Sequence, residues 1–217
     1  MHIPDGILSG SPAGIGVLAA GAAVAAAGTI LGLRRMDYER VPQVALLSAA
    51  FFVASLIRVP FGPTSVHLLL TGLMGLMLGW TAFPAILVAL VLQAMFFQFG
   101  GLTTLGVNTM TMAFPAVLCY LLFRRAAGSR HDVVGASAGF AAGAFGFALS
   151  ALAFSGVLLA GGSEFKALAQ TLLVVHLPVA LAEGAVSAFV IVLLRRVRPE
   201  LLRAPLLAAA PAEGCDG

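Results

Sequence analysis

The chain has 217 residues, 60% of them hydrophobic and only 10% charged, with a mean hydropathy of +1.05. That balance leaves too little polar surface to cover a soluble domain, so it excludes a soluble enzyme or binding module and indicates an integral membrane protein. The formal charge of +3 comes from arginines flanking apolar runs, where it sets orientation in a bilayer and does not point to nucleic acid.

Strict period-two alternation is absent, which argues against a membrane β-barrel. The pattern predicts an all-α membrane bundle of about seven transmembrane helices, each about 20 residues long. Residues 1–12 form a separate N-terminal segment, 13–203 the helical domain, and 204–217 a disordered tail. The opening MHIPDG carries no Lys or Arg ahead of the first apolar run, so it is not expected to be a cleavable signal. Met1 is expected to be retained, because His2 is large.

The first predicted span runs from about Ala13 to Leu33 and stops at Arg34 and Arg35. The second covers about Val44 to Ile57 and ends before RVPFGPTS, where Pro60, Gly62 and Pro63 forbid helix. The third starts near Thr64 or Ser65, either a suitable N-cap, and reaches Gly79, with His67 in its first turn. The fourth covers about Pro84 to Phe97, with Trp80 as an interfacial anchor. FGGLTTLGVNT follows, too polar to face lipid. The fifth span, Thr109 to Phe123, closes on Arg124 and Arg125. The sixth is Val133 to Ala160, and the seventh, Leu168 to Leu194, closes on Arg195 and Arg196.

Seven spans place the termini on opposite sides. With the N-terminus outside, the inner segments hold Arg34, Arg35, Arg40, Arg124, Arg125, Arg130, Arg195, Arg196, Arg198 and Arg203, which is 10 of 12 basic residues, leaving Arg58 and Lys166 outside. The positive-inside rule therefore predicts an outer N-terminus and a cytoplasmic C-terminus in a multi-pass protein of the inner (cytoplasmic) membrane. MHIPDG, His67 and FGGLTTLGVNT then all meet at the outer face.

A free amine followed by His is a chelator. The Met1 amine and the His2 amide nitrogen close a five-membered ring on a metal, and the His2 amide and Nδ1 close a six-membered one. His67 supplies a fourth nitrogen, giving a planar set that suits Ni²⁺ or Cu²⁺, and Co²⁺ in a low-spin state, over tetrahedral Zn²⁺ or oxygen-seeking Mg²⁺ and Ca²⁺. Taken from the residues alone, each histidine also has the plain reading of a polar group near a terminus or interface. Thr64, Ser65, Gln93 and Asn108 are candidates to hydrogen-bond the ligating groups.

His176 and Glu183 lie seven residues apart in span seven, on roughly one helix face, and ionisable groups at membrane depth are functional candidates. A structural His–Glu contact or a role in positioning helices is the reading preferred here. The alternatives are an ion-coupled secondary transporter using them as a relay, or an intramembrane metalloenzyme; the HExxH of a metalloprotease is absent. The methionines are scattered in depth and read as packing. Cys119 and Cys215 are not expected to pair. Alanines at 45, 49, 50 and 54 allow close helix approach on span two.

MHIPDG, PTSVHLLLTGLMGLMLG, FFQFGGLTTLGVNTMTMAFP and HLPVALAEG together resemble the substrate-binding M subunit of energy-coupling-factor importers for nickel and cobalt, the CbiM/NikM family, over about residues 1–200. The resemblance implies metal binding by Met1, His2 and His67. It also implies seven helices, the first added to a six-helix core. It further implies a membrane coupling subunit, which would contact span two, cytoplasmic ATPase subunits and a small accessory membrane subunit. The chain lacks a phosphate-binding G-x-x-x-x-G-K-[ST], so it is expected to be no enzyme and to need no cofactor, with Ni²⁺ or Co²⁺ as transported substrate.

Overall fold

The computed structural model describes residues 2–61, 64–129, 131–162, 165–199 and 201–202, with backbone alone for 58–61 and 64–66. Met1, Cys215 and the tail 204–217 lie outside the described residues. Among the described residues, seven α-helices make up the bundle: α1 (Pro12–Arg34), α2 (Val41–Leu56), α3 (Thr71–Leu78), α4 (Ala82–Phe97), α5 (Leu105–Ala127), α6 (Asp132–Gly161) and α7 (Lys166–Val197). Among the described residues, six stretches are long and apolar enough to cross a membrane, because α3 and α4 follow each other almost without a break as Thr71–Phe97.

The third element departs from the sequence expectation. Thr64 and Ser65 do not cap a helix; they lie in a strand. The antiparallel strands β1 (Arg58–Phe61) and β2 (Thr64–His67) pair Arg58 with His67 and Phe61 with Thr64. His67 therefore ends a strand and is not in a first helical turn. Helix α3 begins four residues later and has only eight residues, about 12 Å at 1.5 Å per residue. That is under half of a ~30 Å hydrocarbon core, so extended chain fills the outer half of this pass. Non-helical backbone is tolerated at membrane depth only when protein surrounds it, and every residue of α3 is buried.

Close backbone approach makes that enclosure possible. A Cβ on Gly75 would lie 2.0 Å from the Ala116 carbonyl oxygen of α5, and one on Gly72 2.1 Å from the Ala142 oxygen of α6. The buried core follows α3 through Leu73, Met74 and Met77, and continues into Ile86 and Leu90 of α4 and Phe147 of α6.

The chain reverses at Gly79 (φ +57°) and Trp80. Trp80 marks the basic end: the Arg35 guanidinium lies 5.1 Å from its ring centroid. Arg34, Arg35, Arg40, Arg124, Trp80 and Tyr120 surround one cavity of about 630 Å³. Arg195 belongs to the same end, pairing with Asp132 at 3.1 Å and donating to the Ala127 carbonyl. The N-terminal segment sits at the opposite end of α5. Arg34, Arg35, Arg40, Arg124 and Arg195 therefore share one pole, the distribution the positive-inside rule expects of a cytoplasmic face, while Arg58 pairs with His67 in the hairpin.

Candidate metal site

The N-terminal segment is held against the loop between α4 and α5. Pro4, Asp5 and Gly6 turn the chain, with Gly6 at φ +92°, and Ile3 is fully buried beneath. Asn108, near the start of α5, clamps Ile3 from both sides: its Oδ1 accepts from the Ile3 N–H at 2.9 Å and its Nδ2 donates to the Ile3 carbonyl at 3.1 Å. Thr104 Oγ1 donates to the same carbonyl at 2.7 Å. Asp5 accepts from the backbone N–H and the hydroxyl of Thr103. A Cβ on Gly101 would meet the Asp5 carboxylate at 2.0 Å, so the glycine lets that carboxylate sit against the loop. These bonds make the terminus part of the bundle, in the way a strand edge is made part of a sheet.

The clamp brings His2 to His67. Their rings are stacked with centroids 5.4 Å apart and planes inclined by 27°. The two imidazoles are therefore immediate neighbours. Phe99 flanks His2, its centroid 6.2 Å away. His67 is 4% exposed, shielded from water beneath the terminus.

Hydrogen bonds choose the nitrogen each ring presents. His2 Nε2 lies 2.8 Å from Gln93 Oε1. A carbonyl only accepts, so Nε2 carries the proton and Nδ1 is the unprotonated nitrogen of the neutral ring. Nδ1 is the one that closes a six-membered chelate with the His2 amide. Gln93, itself 0% exposed, is oriented in turn: its Nε2 donates to Ser55 Oγ, and Ser55 donates to the Phe52 carbonyl at 2.8 Å. His67 Nδ1 lies 3.2 Å from the Leu68 carbonyl, which leaves Nε2 as the unprotonated nitrogen.

Of the sequence candidates, His2, His67 and Gln93 are brought together. Asn108 holds the neighbouring residue and not a ring. Thr64 and Ser65 lie in β2, which is described by its backbone there, and Met1 lies outside the described residues. Ser55, Phe99, Thr103, Thr104 and the partner role of Asp5 went unrecognised in the sequence, although FGGLTTLGVNT was too polar for lipid and pointed to the loop as a whole. Among the described residues no three His, Cys, Asp or Glu side chains converge, so two imidazoles need nitrogens from elsewhere to complete a metal's shell.

His176 and Glu183 make no hydrogen bond to each other. His176 donates Nδ1 to the Leu172 carbonyl at 2.6 Å and stacks on Phe147. Glu183 reaches instead to the backbone before α3. The positioning half of the sequence expectation fits this arrangement, and the direct contact does not.

Residues 2–201 match the family described as the cobalt uptake substrate-specific transmembrane region. A candidate metal transport protein of Haemophilus influenzae is 45% identical over 93% of this chain and 97% of its own. The fused nickel transport protein NikMN of Rhodobacter capsulatus is 34% identical over 97% of this chain and 66% of its own length. The cobalt transport protein CbiM of Geobacter sulfurreducens is 34% identical over 93% of this chain and 61% of its own. A crystal structure of a truncated transition metal transporter superposes with a TM-score of 0.74 at 26% identity, over 91% of this chain and 99% of that one. With a helical membrane fold, two neighbouring imidazoles at the end away from the Arg34, Arg35, Arg40 and Arg124 cluster, and a match across almost its whole length, the chain belongs to the CbiM family of nickel and cobalt transport proteins.

Proposed function

We propose that this chain is the substrate-binding subunit of an ATP-driven energy-coupling-factor importer. It captures Ni²⁺ or Co²⁺ at the outer face and has no catalytic activity of its own. The ligands are the Met1 amine, the His2 amide nitrogen and Nδ1, and His67 Nε2. The observation that carries the reading is the facing pair of His2 and His67, with Gln93 and the Leu68 carbonyl each selecting the nitrogen that coordination needs. Four nitrogens in a plane favour Ni²⁺, and amide deprotonation demands a metal high in the divalent affinity order. A coupling subunit in the membrane and cytoplasmic ATPase subunits supply the work, with a small accessory membrane subunit alongside. The side of α2 bearing Ala45 and Ala49 is exposed and small enough for close docking of the coupling subunit.

Metal analysis of the untagged protein, purified after growth with both ions, tests the substrate. About one equivalent of nickel is expected, and a metal-free protein that takes up neither ion on titration refutes the reading. The terminal amine has its own test. Adding a single residue ahead of Met1 turns the amine into an amide and displaces it, so tight binding is expected to vanish. An extended protein with parental nickel affinity removes Met1 from the site.

A further inference from the structure

We propose that Glu183, in the middle of α7, is the positioning residue for the ligand His67, acting as a cap donated to α3 by another helix. This inference rests on the metal-binding reading above.

Helix α3 starts without help from its own sequence. Its N-cap position is Leu70, which has no side-chain acceptor and stands at φ +52°, in the left-handed region that a non-glycine residue adopts at a cost. The N–H groups around a helix start have no intrahelical partner, and here they lie at membrane depth, where no bulk water can satisfy them. Glu183 meets the need. Its Oε1 accepts from the backbone N–H of Leu69 and, at 2.8 Å, from that of Leu70.

Nothing else explains a carboxylate in that place. Glu183 is fully buried, and its second oxygen has no hydrogen-bond partner. Among the described residues the one ion pair is Arg195–Asp132. The carboxylate therefore spends its hydrogen bonding on two consecutive amides, which follow His67 by two and three residues. A carboxyl oxygen that accepts from two consecutive amides satisfies both donors at once. Leu69, between ligand and cap, is fully buried, so the short tether has no slack. Releasing Leu69 and Leu70 frees the strand end that holds His67 against His2.

Nickel affinity of Glu183→Met, Glu183→Gln and His67→Ala, alone and combined, tests this. Methionine keeps the volume and removes the acceptor, so its affinity is expected to fall at least tenfold. Glutamine keeps an oxygen for both amides and is expected within about threefold of the parent. In the His67→Ala background Glu183→Met is expected to cost nothing further, since neighbours acting through one ligand are not additive. The visible spectrum of nickel in Glu183→Met is expected to take the form seen in His67→Ala. Full additivity of the two substitutions, or parental affinity in Glu183→Met, overturns the assignment. Should Glu183→Met not yield folded protein, Glu183→Asp, one methylene short of the amides, is expected to lose affinity tenfold, and parental affinity there overturns it equally. If instead the parent binds neither ion, the metal-binding reading fails, and the two failures are distinct.

Discussion

Gln93 shows how much one uncharged residue can decide. In the proposed site it contributes no ligand, yet its carbonyl holds the proton of His2 on Nε2 and so leaves Nδ1 to coordinate. Partners of this kind typically change metal affinity 10–100-fold when removed. Gln93→Leu is expected to weaken nickel binding by about that factor, while Gln93→Glu, which keeps an acceptor, should retain most of it; calorimetric titration distinguishes them. His67→Ala is expected to leave weak binding by the terminal chelate and to lose most transport, whereas His2→Ala loses both. A true ligand must cost at least ~1.4 kcal/mol, tenfold in affinity. If His67→Ala binds and transports nickel as the parent does, the fourth nitrogen comes from elsewhere. Affinity should also fall on acidification, because protons compete for the amine, amide and imidazole nitrogens that bind metal only when deprotonated.

Among the elements, α3 is the one whose form could not be read locally. PTSVHLLLTGLMGLMLG looks like a capped helix in which the turn signal ends at Pro63. The hairpin wins because β1 and β2 satisfy each other's backbone, and because the α3 start finds its acceptor on α7, far away in sequence. Its glycines are what admit it between α5 and α6. Gly75→Val drives a side chain into the Ala116 carbonyl and is expected to cost about 1–3 kcal/mol or more, the usual range for overpacking a core. Gly156, on α6, has open space where a Cβ would stand, with nothing within 4 Å, so Gly156→Ala is expected to stabilise by roughly 0.5–1 kcal/mol. Thermal unfolding midpoints in one detergent compare the pair. A neutral Gly75→Val would mean that α3 packs more loosely than this 2.0 Å approach requires.

The whole molecule is polarised along α5. Ile3, next to His2, is tied to its N-terminal end through Asn108 and Thr104, and Arg124 lies at its C-terminal end beside Arg34, Arg35 and Arg40. A helix of 23 residues is about 34 Å long at 1.5 Å per residue, so the His2–His67 pair and the basic pole stand about a membrane's thickness apart. Single cysteines at position 162 and position 128, in a background lacking Cys119 and Cys215, test the orientation. An impermeant thiol reagent added to intact cells should mark 162 and spare 128. The opposite pattern inverts the topology.

Composition and apolar run length were enough to determine a helical membrane protein, while arginine placement and the position of His2 set the expected orientation and the expected terminal chelator. Each of these depends on local chemistry or on hydropathy, and both are written in the order of residues. His67 and Gln93 were also legible as polar types on spans that meet at the outer face. Tertiary structure decided what distance along the chain conceals. Ser55 orients Gln93 across 38 residues, Asp5 holds Thr103 across 98, and Glu183 completes the start of α3 across 113. A buried backbone amide must find an acceptor, but the chain does not say where along its length that acceptor lies. Only packing brings the two together.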